Sequence, residues 1–219
     1  MAGRARAPEI KPVETKQETI SEPTGSYGKV DPPHWGTVAI IGGGPSLNDF
    51  DFEQLRGATV LAVKRNIFNI PWADAGFGLG EQPDRLASVT SRVYWAVSDD
   101  QPLSAPANVT LLRRLDGRDV STDPGAVYGG GTSGFGALQI ALHKKAKQIV
   151  LFGFDYNGGG EEPDRKRAAN WRIWAEHFRV FVPYLTGAGV GIVNACPHSA
   201  ISCFQKVALE DGVRALNRP

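Results

Sequence analysis

The chain is short of sulfur and of net charge. Of its 219 residues only two are cysteine, Cys196 and Cys203, and one is methionine. Two thiols build neither a disulfide framework nor a paired-cysteine metal site, so both are expected as free, buried thiols in a reducing cytoplasm. The formal net charge is +1, which supplies no global field to draw the protein onto nucleic acid or anionic lipid. No apolar run approaches the ~20 residues needed to span a bilayer. The opening Met1-Ala2-Gly3-Arg4-Ala5-Arg6 leads into no apolar stretch of the kind a secretory leader carries. A membrane is therefore not an expected partner, and the expected location is the cytoplasm.

Large apolar residues are also scarce over residues 1–35, where Lys, Glu, Thr, Pro and Ser dominate. Such a segment buries too little surface to offset its ordering entropy and reads as a flexible N-terminal tail. Residues 36–219 read as one domain. Its strands are short, continuous apolar runs: Thr37–Ile41, Thr59–Val63, Val93–Val97, Gln148–Asp155 and Gly191–Ala195, with Val109–Leu112 and a stretch within Ala73–Gly80 as further candidates. Runs that do not alternate belong to strands covered on both faces. Between them, Asn48–Leu55 reads as a short helix, 116–132 as a long loop, and Ser133 onward as a helix. That helix turns Phe135, Leu138, Ala141 and Leu142 to the body and Gln139, His143 and Lys147 away. Trp171, Trp174, Phe178, Phe181 and Leu185 recur at helical spacing, giving a long helix that Pro183 ends or kinks. A terminal helix is expected over Ser202–Leu216. The alternation predicts a variant Rossmann-like α/β fold, a mostly parallel sheet with helices on both faces. Ligands of such sheets sit beyond the carboxyl ends of the strands, where strand order switches.

The strand ends therefore hold the candidate chemistry. Gly42-Gly43-Gly44-Pro45-Ser46 follows the first strand; its amides suit an anion, and Ser46 adds a hydroxyl or caps the next turn. The turn is neither the dinucleotide G-x-G-x-x-G nor a Walker loop, and the second strand ends in Lys64-Arg65-Asn66 with no acid for a ribose. Asn66 is expected to face the same crevice, as a ribose or phosphate ligand or as a turn residue. Ser133 and Gly134 open the middle helix, with Ser133 its expected N-cap. Asp155 closes the strand that ends in Gly153, and reads as a base, a hydroxyl orienter, or a partner of Arg165 or Arg167. Asp99-Asp100 is an acid pair at a strand end, suited to a divalent ion or to a solvated turn. Gly158–Glu162 reads as a lid or a surface loop, and Trp171 with Trp174, both on the apolar stripe, as core in preference to a stacking platform.

Three blocks in this order carry a family resemblance: the strand with Gly42–Leu47; Thr132-Ser133-Gly134 followed by helix, strand and Gly153-Phe154-Asp155-Tyr156; and Cys196-Pro197-His198-Ser199. Over residues 37–210 the chain resembles bacterial sialyltransferases, motility-associated flagellin glycosyltransferases and hydroxymethylpterin pyrophosphokinases, and most of all short bacteriophage-encoded proteins of this group. The resemblance implies nucleotide binding without an obligatory metal. It implies that Gly42–Ser46 holds phosphates and that Asn66, Ser133, Gly134 and Gly153 flank the ligand. It further implies that Asp155 sits at the donor site and that Pro197–Ser199 lines the base pocket. The sialyltransferase phosphate-side tyrosine falls at Asn157 here, with Tyr156 one residue earlier. Their histidine base falls near Asn170 or Trp171, with His177 the nearest substitute. Three functions follow. The first is transfer from a nucleotide-sugar donor to a glycan, protein or modified DNA base. The second is an ATP-dependent pyrophosphoryl transfer using Mg2+ on Asp99, Asp100 and Asp155. The third is a non-catalytic nucleotide-binding or virion-associated accessory protein. Donor sugar, base, acceptor and oligomeric state stay open at this point.

Overall fold

The computed structural model describes residues 26–82, 84–101, 103–157 and 165–216. In chain order the elements are β1 (Thr37–Ile41), β2 (Thr59–Val63), α1 (Asn66–Asn69), β3 (Ala75–Leu79), β4 (Arg92–Val97), β5 (Val109–Leu115), β6 (Ala126–Tyr128), α2 (Ser133–His143), β7 (Gln148–Phe152), α3 (Arg165–His177), α4 (Phe181–Ala188), β8 (Gly191–Asn194), β9 (Gln205–Lys206) and α5 (Leu209–Leu216). The strands form one sheet in the order β6-β5-β4-β3-β2-β1-β7-β8-β9. Every neighbouring pair is parallel. This is the expected α/β fold.

The central strands are apolar because both of their faces are covered. Val38, Ile40, Ile149 and Leu151 enter one core with Phe135, Leu138 and Phe178. Ala39, Ile41, Val150 and Phe152 enter the other, against which Val213 and Leu216 of α5 pack. The chain runs outward from β1 to β6, then returns through α2 to place β7 on the free side of β1. The switch in strand order thus falls between β1 and β7, and a ligand of such a sheet sits beyond their carboxyl ends.

Several local expectations are corrected. Asn48–Leu55 is not one helix: Asn48 caps a 3-10 turn at Pro45–Leu47, and only Phe52–Leu55 is helical, as a second 3-10 turn. The supposed loop 116–132 contains β6, and β9 follows β8, so Gly191–Asn194 is not the last strand. The long aromatic helix is divided by a 3-10 turn at Phe178–Val180, and Pro183 lies in the first turn of α4, where a missing amide is tolerated. Gln139 does not face outward. It is fully buried, accepting from the amides of Ser121 and Tyr128 and donating to the Tyr128 carbonyl, so it ties the irregular segment before α2 onto that helix. Cys196 is buried as expected, whereas Cys203 is only partly so.

Of the expected tail, residues 1–25 lie outside the described residues. Residues 26–35 are anchored to the sheet. The Gly28 amide donates to the Leu111 carbonyl and the Trp35 amide to that of Lys144, while Val30 and Trp35 are buried. Asp31 accepts from the Tyr94 hydroxyl and pairs with the buried Lys144 ammonium at 3.6 Å. Among the described residues no helix is long and apolar enough to cross a membrane.

Candidate functional site

The tips of β1 and β7 are sewn together before any ligand is considered. The Gly42 amide donates to the Phe152 carbonyl at 2.7 Å, and the Gly44 amide to the Gly153 carbonyl at 2.9 Å. A Cβ on Gly42 would stand 2.6 Å from the Gly153 oxygen, and one on Gly44 would stand 1.9 Å from Asp155 Oδ2. Gly153 itself takes φ +68°, a conformation side chains disfavour. Two of the three loop glycines are therefore required by close packing of the seam, and their amides are already engaged. Gly43 differs. It is exposed, the space a Cβ would take there is open apart from Arg65 Nε at 3.6 Å, and no hydrogen bond among the described residues uses its amide. The expected anion cradle contracts to this residue.

The cations of the site come from the end of β2. Lys64 has φ +54°, which turns the chain back on itself, so that Arg65 reaches the glycine turn and Asn66 enters the body. The Arg65 guanidinium donates to the Gly43 carbonyl at 3.0 Å. Asn66 is buried, donates to the Gly42 carbonyl at 2.6 Å and accepts from Asn69 at 3.0 Å. Its amide is spent on holding the turn and does not face the crevice, which corrects the expectation that it would meet the ligand. Lys64 bonds the Leu79 carbonyl and lies 4.9 Å from the Trp95 ring centre. Partial burial lowers its pKa.

Opposite stands the start of α2. Thr132, not Ser133, is the N-cap: its hydroxyl accepts from the Phe135 amide at 3.3 Å. Ser133 and Gly134 are the first helical residues, and helix geometry leaves their amides without intrahelical partners. Thr132 Oγ1 is also 2.7 Å from the Tyr156 hydroxyl. Tyr156 is buried, has φ +52°, and burial pushes its pKa well above the usual tyrosine value. Its phenol stays protonated and fixes the helix start, acting as a hydrogen-bonding wall. Tyr156 is not placed to yield a proton at neutral pH.

One cavity of about 510 Å3 joins these parts. Its floor is Gly42–Pro45 and Gly153–Asp155, one side is Val63–Arg65, another Gly131–Gly134, and the last is Tyr156, Asn157, Trp171 and Trp174. Asp155 is buried. Its Oδ2 accepts from Ser46 Oγ at 2.8 Å, while no hydrogen bond among the described residues uses Oδ1. Ser46 does not line the cavity; its hydroxyl lies between Asp155 and Cys196 Sγ, the latter 3.5 Å away. Burial pushes the Cys196 thiol up to about 11, so it remains protonated.

Other expected residues fall elsewhere. Ser199 is buried, donating to the Phe154 carbonyl and accepting from the Ile201 amide; neither it nor Pro197 lines the cavity, because that turn is spent on fastening the β7 tip. Asn157 does line it, with its amide donating to the His198 carbonyl at 3.4 Å. His177 does not. Its Nδ1 donates to the Gly130 carbonyl at 2.8 Å on the far side of the α2 start, and it borders a separate groove with Arg118 and Glu176. Asp99 accepts from Tyr27 at 2.8 Å and pairs with Arg113 at 3.5 Å. Neither Asp99 nor Asp100 joins Asp155 in the cavity, so the acid set expected to hold Mg2+ is not assembled. Among the described residues no three His, Cys, Asp or Glu side chains cluster as metal ligands. The expected Gly158–Glu162 lid lies outside the described residues. Sequence reasoning missed Arg65, which adjoins the residue chosen instead; Trp171 and Trp174, read as core in preference to a stacking platform, do pack against the core, but both are only partly buried and also line the cavity.

No protein family and no curated protein matches the sequence. Solved structures do match by shape. The MAf glycosyltransferase of Magnetospirillum magneticum AMB-1 superposes with a TM-score of 0.58 at 14% identity, covering 87% of this chain and 39% of that one. The fold is one that glycosyltransferases use. This chain spans well under half the length of that protein. The sialyltransferase CstII of Campylobacter jejuni, in complex with cytidine-5'-monophosphate, matches at 15% identity with a TM-score of 0.45, over 81% of this chain and 86% of its own. At these identities the likeness concerns the fold.

Proposed function

We propose that this chain is a glycosyltransferase-like enzyme that binds a nucleotide-sugar donor in the cavity above the joined tips of β1 and β7. The observation that carries the reading is the convergence, in one cavity, of the unused Gly43 amide, the Arg65 guanidinium and the open first turn of α2. Backbone donors, a helix N-terminus and a guanidinium together suit phosphate oxygens. Asp155 adds a carboxylate oxygen, Oδ1, at the floor. In the proposed step an acceptor hydroxyl attacks the anomeric carbon of the donor sugar. Its proton passes to Asp155 Oδ1, and the sugar–phosphate C–O bond breaks with its electron pair leaving on the nucleotide. Arg65 and the α2 amides stabilise the charge that develops on the departing phosphate, and positioning supplies most of the remainder. MAf, a glycosyltransferase of this fold, supports the class of reaction.

The test is a thermal-shift screen with CMP, UDP, GDP and ATP, each with and without Mg2+, followed by donor turnover with the sugar nucleotides of whichever base binds. A ligand at 100 times its Kd adds about 2.7 kcal/mol, which for a chain of this size raises Tm by roughly 5–11 °C. A shift with a nucleotide in the absence of metal, and release of that nucleotide from its sugar, is the expected result. A shift confined to ATP with Mg2+ overturns it in favour of pyrophosphoryl transfer. No shift with any of them overturns nucleotide binding itself.

A further inference from the structure

The aromatic side of the cavity plays no part in holding phosphate or moving a proton, yet it is built as a corner. Tyr156 and Trp171 are 5.4 Å apart with ring planes at 81°, and Trp171 and Trp174 are 5.1 Å apart at 87°. Rings set at right angles offer a planar guest one face to stack on and one edge to meet. Trp174 lies directly over the approach to α2: a Cβ on Gly131 would stand 2.4 Å from its Nε1. No hydrogen bond among the described residues uses that N–H. Two indoles left partly exposed at a cavity wall, one whose N–H no hydrogen bond among the described residues uses, are what a flat heteroaromatic ring would bury.

The turn to which family resemblance assigns the base is closed in this chain. Ser199 is spent on Phe154 and Ile201, and Pro197 stands outside the cavity. We propose that the corner formed by Trp171 and Trp174 is the nucleobase subsite, with the base stacked on an indole and the Trp174 N–H directed at a ring carbonyl or nitrogen. This rests on the nucleotide-binding reading above and adds where the base goes. Trp174 touches Gly131, and Gly131 leads directly into the Ser133 and Gly134 amides. A base on the indole is thus separated from phosphate on those amides by little more than a ribose.

The experiment measures binding of CDP, UDP, GDP, ADP and inorganic pyrophosphate by calorimetry and by intrinsic tryptophan fluorescence, in the wild type, Trp171→Leu, Trp174→Leu, Trp174→Phe and Gly43→Val. At least one nucleoside diphosphate should bind the wild type more tightly than pyrophosphate and quench its fluorescence. Stacking on an aromatic side chain is worth about 1–3 kcal/mol per base, so each leucine variant should lose roughly 5- to 150-fold in affinity for that nucleotide. Pyrophosphate affinity should not change in the leucine variants, and Trp174→Phe should recover much of the nucleotide affinity. Gly43→Val should lose both ligands. Leucine variants that bind the nucleotide like the wild type overturn the base subsite while leaving the phosphate site standing. So does an equal loss of pyrophosphate affinity, which marks the indoles as structural support. A wild type that binds pyrophosphate but no nucleotide more tightly also overturns it. A wild type that binds neither removes the nucleotide reading and this inference together.

Discussion

Adjacent glycines in the turn after β1 should respond to the same methyl group in opposite ways. At Gly44 a Cβ meets Asp155 Oδ2 at 1.9 Å, Asp155 Cγ at 2.7 Å and the Gly153 carbonyl at 2.6 Å. The carbonyl belongs to backbone at the β7 tip and cannot withdraw, so the carboxylate must rotate away and break its bond from Ser46. Forcing a methyl into a packed site costs about 1–3 kcal/mol, and losing a hydrogen bond to a charged group about 1.5–3 kcal/mol. Gly44→Ala is therefore expected to lose about 4 kcal/mol, a fall in Tm of roughly 8–16 °C for a domain of this size. At Gly43 the same methyl finds only Arg65 Nε at 3.6 Å, an ordinary contact with a flexible side chain, and Gly43→Ala should stay within about 0.5 kcal/mol of the parent. Thermal melts of both variants followed by circular dichroism give the comparison directly. A Gly44→Ala protein that melts with the wild type, or a Gly43→Ala protein that melts as early as Gly44→Ala, refutes the assignment of Gly44 to the seam and Gly43 to the ligand.

Gly43→Val should keep the wild-type melting curve and lose nucleotide binding; Arg65→Ala should weaken pyrophosphate at least tenfold, as expected for removing about 1.5–3 kcal/mol of charged hydrogen bonding, with calorimetry as the readout. Asp31→Asn removes the carboxylate facing the buried Lys144 ammonium but leaves the Asp31 carbonyl that also accepts from it; denaturant unfolding should show a loss of about 2 kcal/mol, below the full cost of an orphaned buried charge because Asp31 is itself partly exposed. Cys196 keeps its proton to about 11 in the folded chain against an ordinary 9.0, so the native state binds the extra proton, and stability present below pH 9 is lost as pH rises from 9 towards 11. The stability difference between wild type and Cys196→Ala should shrink across that window by about 2 kcal/mol, and a difference flat with pH counts against the burial of the thiol.

The sheet and the position of its crevice were legible because they depend on bulk pattern. Thr37–Ile41, Thr59–Val63 and Gln148–Phe152 are apolar on both faces, and alternation of strand and helix implies a parallel order with a switch. Which side chains enter the crevice was less legible, since that depends on single dihedral angles. Lys64 in the left-handed region turns Arg65 towards the glycine turn and Asn66 inward, an exchange that residue type alone would have reversed. Gln139 sits on what periodicity marks as the outer face of α2, but periodicity takes no account of the irregular segment whose backbone it satisfies. β6 and β9 have three and two residues, too few for any pattern to register. Trp171 and Trp174 fit an apolar stripe equally well as core or as cavity wall, and only the cavity they line separates the two.

The pairing of β1 with β7 has a consequence for how the chain reaches this state. Thr37 waits for Gln148 as its partner, a closure across about 110 residues, and contacts that distant in sequence form late and slowly. On the ribosome the outward half from β1 to β6 can assemble first, with one long edge of β1 unzipped until the return helix and β7 emerge. A nascent chain ending before Gln148 would lack Gly153 and Asp155, and with them the opposite bank of the crevice. Ligand should therefore rescue slow-folding variants only after β7 has been made, and chaperone contacts during synthesis should concentrate on the bare flank of β1.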